Sequence, residues 1–184
     1  MPRLPPLNAR TPEQDAVWLE IARTRRGPVY GPFEAWLRSP EFAARAQHLG
    51  EFCRYRTSLP NEVSELAILL VAAHHKAEVE WFVHAPIAET AGLGAADIDR
   101  IRRGEMPAFA DCRLAVAAKV VCALIKESRL SDSLFEQARA QFGESALVEL
   151  VGVVGYYTLV AYTLNVFEIP LPEGAPAPFS DAPA

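Results

Sequence analysis

A glutamate and a histidine stand four residues apart near the middle of the chain, at Glu80 and His84. On a helix, side chains at this spacing lie on one face about one turn apart, so an acid and an imidazole there can share a proton. A second acid, Glu65, stands near the head of the apolar run that precedes them. Two carboxyls and one imidazole are the equipment for proton transfer. We therefore predict Glu65, Glu80 and His84 as catalytic residues.

The stretch around these residues must bring them together. Its apolar spacing predicts a helix over 60–74, a break at 75–76 and a second helix over 77–91. If the two helices pack antiparallel, the first acid comes level with the later glutamate and histidine. A carboxyl in such apolar surroundings loses its hydration, which raises its pKa and lets it hold a proton near neutral pH.

The rest of the chain also carries helix signals and shows no sustained alternation of apolar and polar residues. Thr11 and Pro12 predict the start of a helix that runs to Arg25. Further segments with helical spacing are 33–37, 40–56, 95–101, 108–128, 132–143 and 144–166. In the helix over 40–56, one face carries the apolar residues Phe42, Ala46, Leu49, Phe52 and Cys53.

These patterns predict an all-α protein with a single core. We divide the chain into an N-terminal arm with one helix (1–26), a helical domain (27–169) and a flexible tail rich in proline and alanine (170–184). The length of 184 residues suits one such domain.

The charge pattern argues against nucleic acid as a partner. The net charge is -5 and the arginines are scattered, so no basic stripe is available to neutralise phosphates. The N-terminus lacks an apolar stretch long enough for an export signal, and we predict a cytoplasmic location. The 18 residues from Leu150 to Phe167 carry no charge, but glutamates rather than basic residues flank them. We predict a helix buried by core and subunit contacts, and no membrane partner.

Neither the cysteines nor the histidines show the spacing of a metal site. The four histidines do not form a cluster. We therefore predict a site without any cofactor, and a metal held by Glu80 and His84 stays the alternative. The cysteines are odd in number and far apart, so we predict buried thiols in a reducing compartment. They are Cys53, Cys112 and Cys122.

A fixed pattern runs through the central stretch and its flanks. It reads Glu65, eleven residues, Ala77, two residues, Glu80-Trp81, two residues and His84, followed by Ala85-Pro86 and Ala91-Gly92-Leu93. The flanks carry Gly31-Pro32-Phe33, Arg38-Ser39-Pro40-Glu41, Glu149-Leu150-Val151, Tyr157 and Leu164-Asn165. Together these residues resemble the carboxymuconolactone decarboxylase family within the AhpD-like superfamily, over residues 27–170.

The resemblance implies a fold, an assembly and an activity. The fold is an AhpD-like helical bundle with a central antiparallel helix pair, assembled as a homo-trimer or homo-hexamer. The activity is that of a cofactor-independent carboxy-lyase, a decarboxylase acting on a small, cyclic, carboxylated substrate of aromatic catabolism. Glu80 and His84 are then the acid and its relay, and Glu65 orients the histidine. Trp81 is predicted to bind the substrate, with a place in the core as the alternative.

Two other functions stay open. The redox branch of the superfamily carries two cysteines where this chain has Ala77 and Glu80. Since thiol chemistry needs a thiolate and a resolving partner, a thiol-dependent peroxidase or disulfide reductase is disfavoured. A non-catalytic, ligand-binding member of the fold is the main alternative, because a glutamate and histidine at this spacing also occur as a surface pair worth a few tenths of a kcal/mol.

Overall fold

A computed structural model describes residues 2–25 and 29–180 of the chain. All regular structure in these residues is helical, so the predicted all-α class is confirmed. The predicted boundary between arm and domain, at residues 26 and 27, lies outside the described residues, as do residues 181–184 of the predicted tail. The helices are α1 (Pro12–Thr24), α2 (Phe33–Trp36), α3 (Pro40–Tyr55), α4 (Asn61–His75), α5 (Glu78–Thr90), α6 (Ala95–Arg102), α7 (Cys112–Glu127) and α8 (Asp132–Val166).

Helix α4 is the centre of the bundle. Residues 63–72 are buried without interruption, because α5, α7 and α8 all pack against this helix. A helix that is apolar on every side is stable in water only when neighbours cover all of its faces. The sequence of α4 therefore requires the other long helices to surround it.

A tight reversal at Lys76 turns the chain from α4 into α5. Lys76 takes the left-handed conformation, with φ 49°, and the Ala77 N–H donates to the Ala72 carbonyl at 2.9 Å. The side-chain amide of Asn165 on α8 donates to the His75 carbonyl at 2.7 Å. These bonds satisfy carbonyls that a helix end leaves without partners. Helix α5 then packs back along α4, as the predicted antiparallel pair requires.

The start of α7 differs from the prediction, whereas the break near residue 143 agrees with it. Helix α7 begins at Cys112 rather than at residue 108, because the Asp111 carboxylate accepts the Arg113 N–H at 2.8 Å and caps the helix there. The predicted division between 132–143 and 144–166 is confirmed, because α8 consists of two helical segments that meet at a kink at Gly143, where φ is 78° and ψ is 169°. Glycine adopts this conformation without steric cost.

By length and composition alone, α8 is the one helix in the described part of the chain that would be able to span a membrane. In its most apolar stretch, 56% of the residues are buried inside the protein. Val148 and Tyr162 are nevertheless exposed, at 72% and 55%. Within a single chain, α8 is therefore not buried all round.

The core covers only part of the apolar face of α3. Ala46 and Cys53 are buried as expected, but Phe42, Leu49 and Phe52 are exposed. The buried side of α3 instead carries smaller or polar residues, which lie against α1 and α8: Ala43, Gln47 and Gly50. The spacing marks an apolar face, but it does not identify the neighbour that covers each part of that face.

The arm and the tail both contact the body of the protein. Thr11 and Gln14 form the capping box at the start of α1, which confirms the predicted helix start. Near its end, the Thr24 hydroxyl donates to the buried Gln47 side chain of α3 at 3.2 Å. At the other terminus, Phe179 is buried, and its ring centroid lies 5.4 Å from that of Trp81. Composition gave no sign of this tail contact.

Gly50 offers a test of the packing between α3 and α8. A Cβ at this position would overlap the hydroxyl of the buried Tyr156 ring. We expect Gly50→Ala to lower the free energy of unfolding by about 1–3 kcal/mol, the usual cost of overpacking. Urea denaturation measures the change.

Gly152→Ala on α8 is the matched control. A Cβ there meets nothing within 4 Å, so the variant should gain about 0.5–1 kcal/mol from the lower chain entropy of alanine. Equal stability of the Gly50→Ala protein and wild type would contradict the close approach of Tyr156.

Candidate active site

Glu65 and His84 form a buried hydrogen-bonded pair in the core. Glu65 Oε2 and His84 Nδ1 lie 2.8 Å apart, across the interface of α4 and α5. The residues are 7% and 3% exposed. A carboxylate only accepts hydrogen bonds, so Nδ1–H donates and Nε2 is left as the acceptor that a ligand can reach. The structure thus brings together two of the three predicted residues.

Glu80 lies one helical turn before His84 and is 3% exposed. Neither of its carboxyl oxygens has a hydrogen-bond partner among the described residues. Burial raises its pKa well above the ordinary value, because it removes the hydration that stabilises the charged form. Burial therefore favours the protonated, neutral form of Glu80.

Glu80 and His84 do not form the hydrogen bond through which we expected them to share a proton. The imidazole turns to Glu65 on the neighbouring helix, and no hydrogen bond joins it to Glu80. A carboxylate on a facing helix can meet the ring nitrogen head-on, whereas the side chain one turn away lies beside the ring. Glu80 and His84 instead line one cavity together.

This cavity, which we call the inner cavity, has a volume of about 50 Å³. It holds water-sized molecules, but it is smaller than the roughly 150 Å³ that takes a benzene ring. A cyclic substrate therefore requires side chains in the wall to move. Besides Glu80 and His84, the wall includes Arg25, Tyr30, Arg54, Tyr156 and Tyr157.

Two arginines in this wall were not predicted from the sequence. Arg25 follows the end of α1 on the arm, and Arg54 lies in the last turn of α3. Burial lowers the pKa of His84 most, and the charges of both arginines lower it further, while the bond to Glu65 opposes the shift. His84 is therefore a neutral imidazole at pH 7. Scattered arginines in a sequence give no signal that two of them will meet at one cavity.

Two neighbouring tyrosines of α8 complete the wall. The Tyr157 ring meets the His84 ring edge to face, with centroids 5.1 Å apart, and so fixes the plane of the imidazole. Burial raises the pKa of Tyr157 and that of Tyr156, the latter to about 12. Both hydroxyls therefore keep their protons and can donate to a ligand.

Trp81 does not line the inner cavity, although it was predicted to bind the substrate. It is 4% exposed and packs against Phe179 of the tail. Consecutive residues on a helix point about 100° apart, so the neighbour of an inward-facing Glu80 points elsewhere. We assign Trp81 to the core and omit it from the site.

The cysteines are also away from the inner cavity. Cys53 is buried as predicted, but Cys122 is only half-buried and Cys112 is exposed at the start of α7. All three are free thiols. Among the described residues, no group of three histidine, cysteine or acidic side chains is placed to hold a metal ion.

The raised pKa of Glu80 has a measurable consequence for stability. The folded protein keeps this proton at pH values where the unfolded chain has released it. Its favourable contribution is full below about pH 4, near the unfolded pKa, and is lost as the pH rises toward the folded pKa. Glutamine does not ionise. We expect Glu80→Gln to gain stability over wild type between pH 4 and 8, by more than about 1 kcal/mol, since one pKa unit corresponds to about 1.4 kcal/mol.

Urea denaturation across this pH range measures the difference. Glu89→Gln, which changes an exposed acid on the same helix, should show no such trend. A constant difference between Glu80→Gln and wild type at every pH would show that Glu80 titrates normally.

No family model and no curated protein matches the chain. The resemblance to the carboxymuconolactone decarboxylase family thus rests on the motif residues themselves. In the structure, the three polar residues of that motif are buried next to one another between α4 and α5. They form a candidate active site with a neutral acid and a carboxylate-supported imidazole.

Proposed function

We propose that the chain is a cofactor-independent acid/base enzyme of the carboxymuconolactone decarboxylase type. The reaction class is decarboxylation, or a related lyase reaction, of a small cyclic carboxylated substrate. The observation that carries this proposal is the inner cavity, where the protonated Glu80 and the neutral His84 face the same space. Two groups whose environments push their pKa values in opposite directions are typical of acid and base roles.

The proposed reaction uses Glu80 as the proton donor. The bond between the carboxylate and the ring carbon breaks, carbon dioxide leaves, and the electron pair spreads over the conjugated ring. Glu80 then donates its proton to carbon, which gives the neutral product and a Glu80 carboxylate. One proton is consumed in the complete reaction, so Glu80 must be protonated again from solvent.

His84 relays this proton in the proposal. Its Nε2 takes a proton from solvent that enters the inner cavity and passes it to the Glu80 carboxylate, which lines the same space. Nδ1–H stays bonded to Glu65 at 2.8 Å, and the charge of that carboxylate stabilises the imidazolium that forms in between. Glu65 also fixes the tautomer of the imidazole, which is the orienting role that its position suggests.

A ligand-binding protein without catalytic activity is the second candidate. The small volume of the inner cavity favours it, because a ring does not fit there without movement of the wall. A thiol peroxidase is disfavoured on a further ground. Burial raises the pKa of the Cys53 thiol to about 11 and also raises that of Cys122, so these thiols are not ionised at neutral pH.

Activity measurements on single variants test the proposal. With a carboxymuconolactone-type substrate, we expect Glu80→Gln and His84→Ala to lower kcat by about 10²–10⁴-fold, the usual contribution of a positioned acid or base. Glu65→Gln should cause a smaller loss, since it keeps a hydrogen-bonding side chain. Release of carbon dioxide measures the rate.

His48→Ala is the matched control for the histidine. His48 pairs with Glu20 at 3.1 Å on the surface, so its removal should leave turnover unchanged. Full activity of a folded His84→Ala protein would reject the catalytic role. Peroxide turnover that disappears when the three cysteines are replaced would favour the thiol chemistry instead.

We also propose that the protein assembles as a homo-trimer or homo-hexamer through α8. In the single chain, Val148 of α8 and Leu49 and Phe52 of α3 are exposed around one shallow surface. Apolar residues grouped in this way mark association surfaces more often than isolated ones do.

Light scattering coupled to size exclusion measures the assembly. Val148→Glu should convert the oligomer to a monomer, because it places a charge in an apolar contact. Leu19→Glu, at a residue 69% exposed on the arm, is the control and should leave the assembly intact. A monomeric wild type would refute this interface.

A further inference from the structure

The guanidinium of Arg25 is desolvated and incompletely paired. Its Nε and Nη2 atoms are buried and have no hydrogen-bond partner among the described residues. The group lies over the Phe33 ring, with Cζ 4.8 Å from the ring centroid. A buried donor that loses water without gaining a partner is costly, and for a charged group the cost is larger. A folded protein keeps such a group only if other favourable interactions offset this desolvation cost.

The place of Arg25 is fixed by the packing of the arm. Its backbone N–H donates to the Ile21 carbonyl at 3.1 Å, and the Ile21 side chain is fully buried. Thr24, the preceding residue, is bonded to Gln47 of α3. The side chain therefore starts from a rigid point at the edge of the inner cavity, and little freedom is lost when it binds a ligand.

The charges around the inner cavity leave room for an anion. Arg25 and Arg54 both line it, whereas burial favours the neutral form of Glu80, its only acidic wall residue among those described. The carboxylate of Glu65 offsets one of the two positive charges, since the imidazole to which it is bonded is neutral. A net positive charge therefore remains around the inner cavity, and it attracts small anions.

We propose that Arg25 is a specificity-determining residue that binds a carboxylate group of the ligand at the edge of the inner cavity. The two unpartnered nitrogens, Nε and Nη2, share one edge of the planar guanidinium, and their N–H groups match the two oxygens of a carboxylate. This proposal rests on the proposed function for the identity of the reaction, but binding itself does not require turnover.

The chemistry also determines which carboxylate Arg25 holds. A guanidinium stabilises a carboxylate relative to the neutral carbon dioxide that forms from it, so it would oppose loss of the group that it binds. Arg25 therefore holds a carboxylate that stays on the product. The group that leaves lies on the side of Glu80 and His84.

Acetate is a suitable probe, because it is small enough for the inner cavity and carries only the group in question. Its neutral analogue acetamide has nearly the same shape. Titrations of the full chain at low salt, followed through the NMR signals of the arginine Nε–H groups, report both affinity and the residue that is contacted. We expect acetate to shift the Arg25 signal and to bind at least about tenfold more tightly than acetamide, a factor that corresponds to about 1.4 kcal/mol.

Variants separate the specific contact from general charge attraction. Arg25→Met should weaken acetate binding at least tenfold, and Arg25→Lys should restore part of it. Arg23→Met removes the same charge from an exposed position on the same helix and should bind acetate like wild type. Thermal unfolding of each variant establishes that it is folded.

Three outcomes would overturn the proposal: no acetate binding by wild type, equal binding of acetate and acetamide, or equal loss in Arg25→Met and Arg23→Met. The proposed reaction is tested separately with His84→Ala. If this variant binds acetate normally and Arg25→Met does not, the carboxylate site holds whether or not the protein is a decarboxylase.

Discussion

The hydrogen bond between Glu65 and His84 is the constraint on which the arrangement of the central helices depends. Both side chains are buried among apolar residues, where either one without a partner would be strongly unfavourable. The bond therefore fixes how far α5 slides along α4 and how each helix is rotated. The left-handed turn at Lys76 makes this register reachable, since it folds the second helix back over only two connecting residues.

Glu80, unlike Glu65 and His84, is a buried polar residue whose carboxyl oxygens have no hydrogen-bond partner among the described residues. A buried carboxyl without partners costs stability, and a core formed for stability alone would carry an apolar residue there. Buried polar groups without partners are concentrated at functional sites, where packing elsewhere in the protein offsets the stability that they cost. The uninterrupted apolar run of α4 and its three covering helices provide that packing.

The terminal segments contribute more than their composition suggests. The arm brings Arg25 to the inner cavity, and it does so through the packing of α1 against α3. The tail contacts the opposite side of α5, where Phe179 covers Trp81, and the Arg102 side chain donates to the Pro178 carbonyl at 2.9 Å. The arm thus reaches the cavity that Glu80 and His84 line, and the tail packs on another face of the same helix.

The sequence by itself determined the helices and the residues whose side chains can take part in a reaction. Capping at Thr11, the apolar period of α4 and the spacing of Glu80 and His84 are local properties, because they depend on neighbours within a few residues. Tertiary structure decided the partners: His84 pairs with Glu65 rather than Glu80, and Arg25 reaches a cavity bounded by helices far away in sequence. Such contacts depend on which helix faces meet and at what rotation, and the periodicity of one segment carries no information about the face opposite to it.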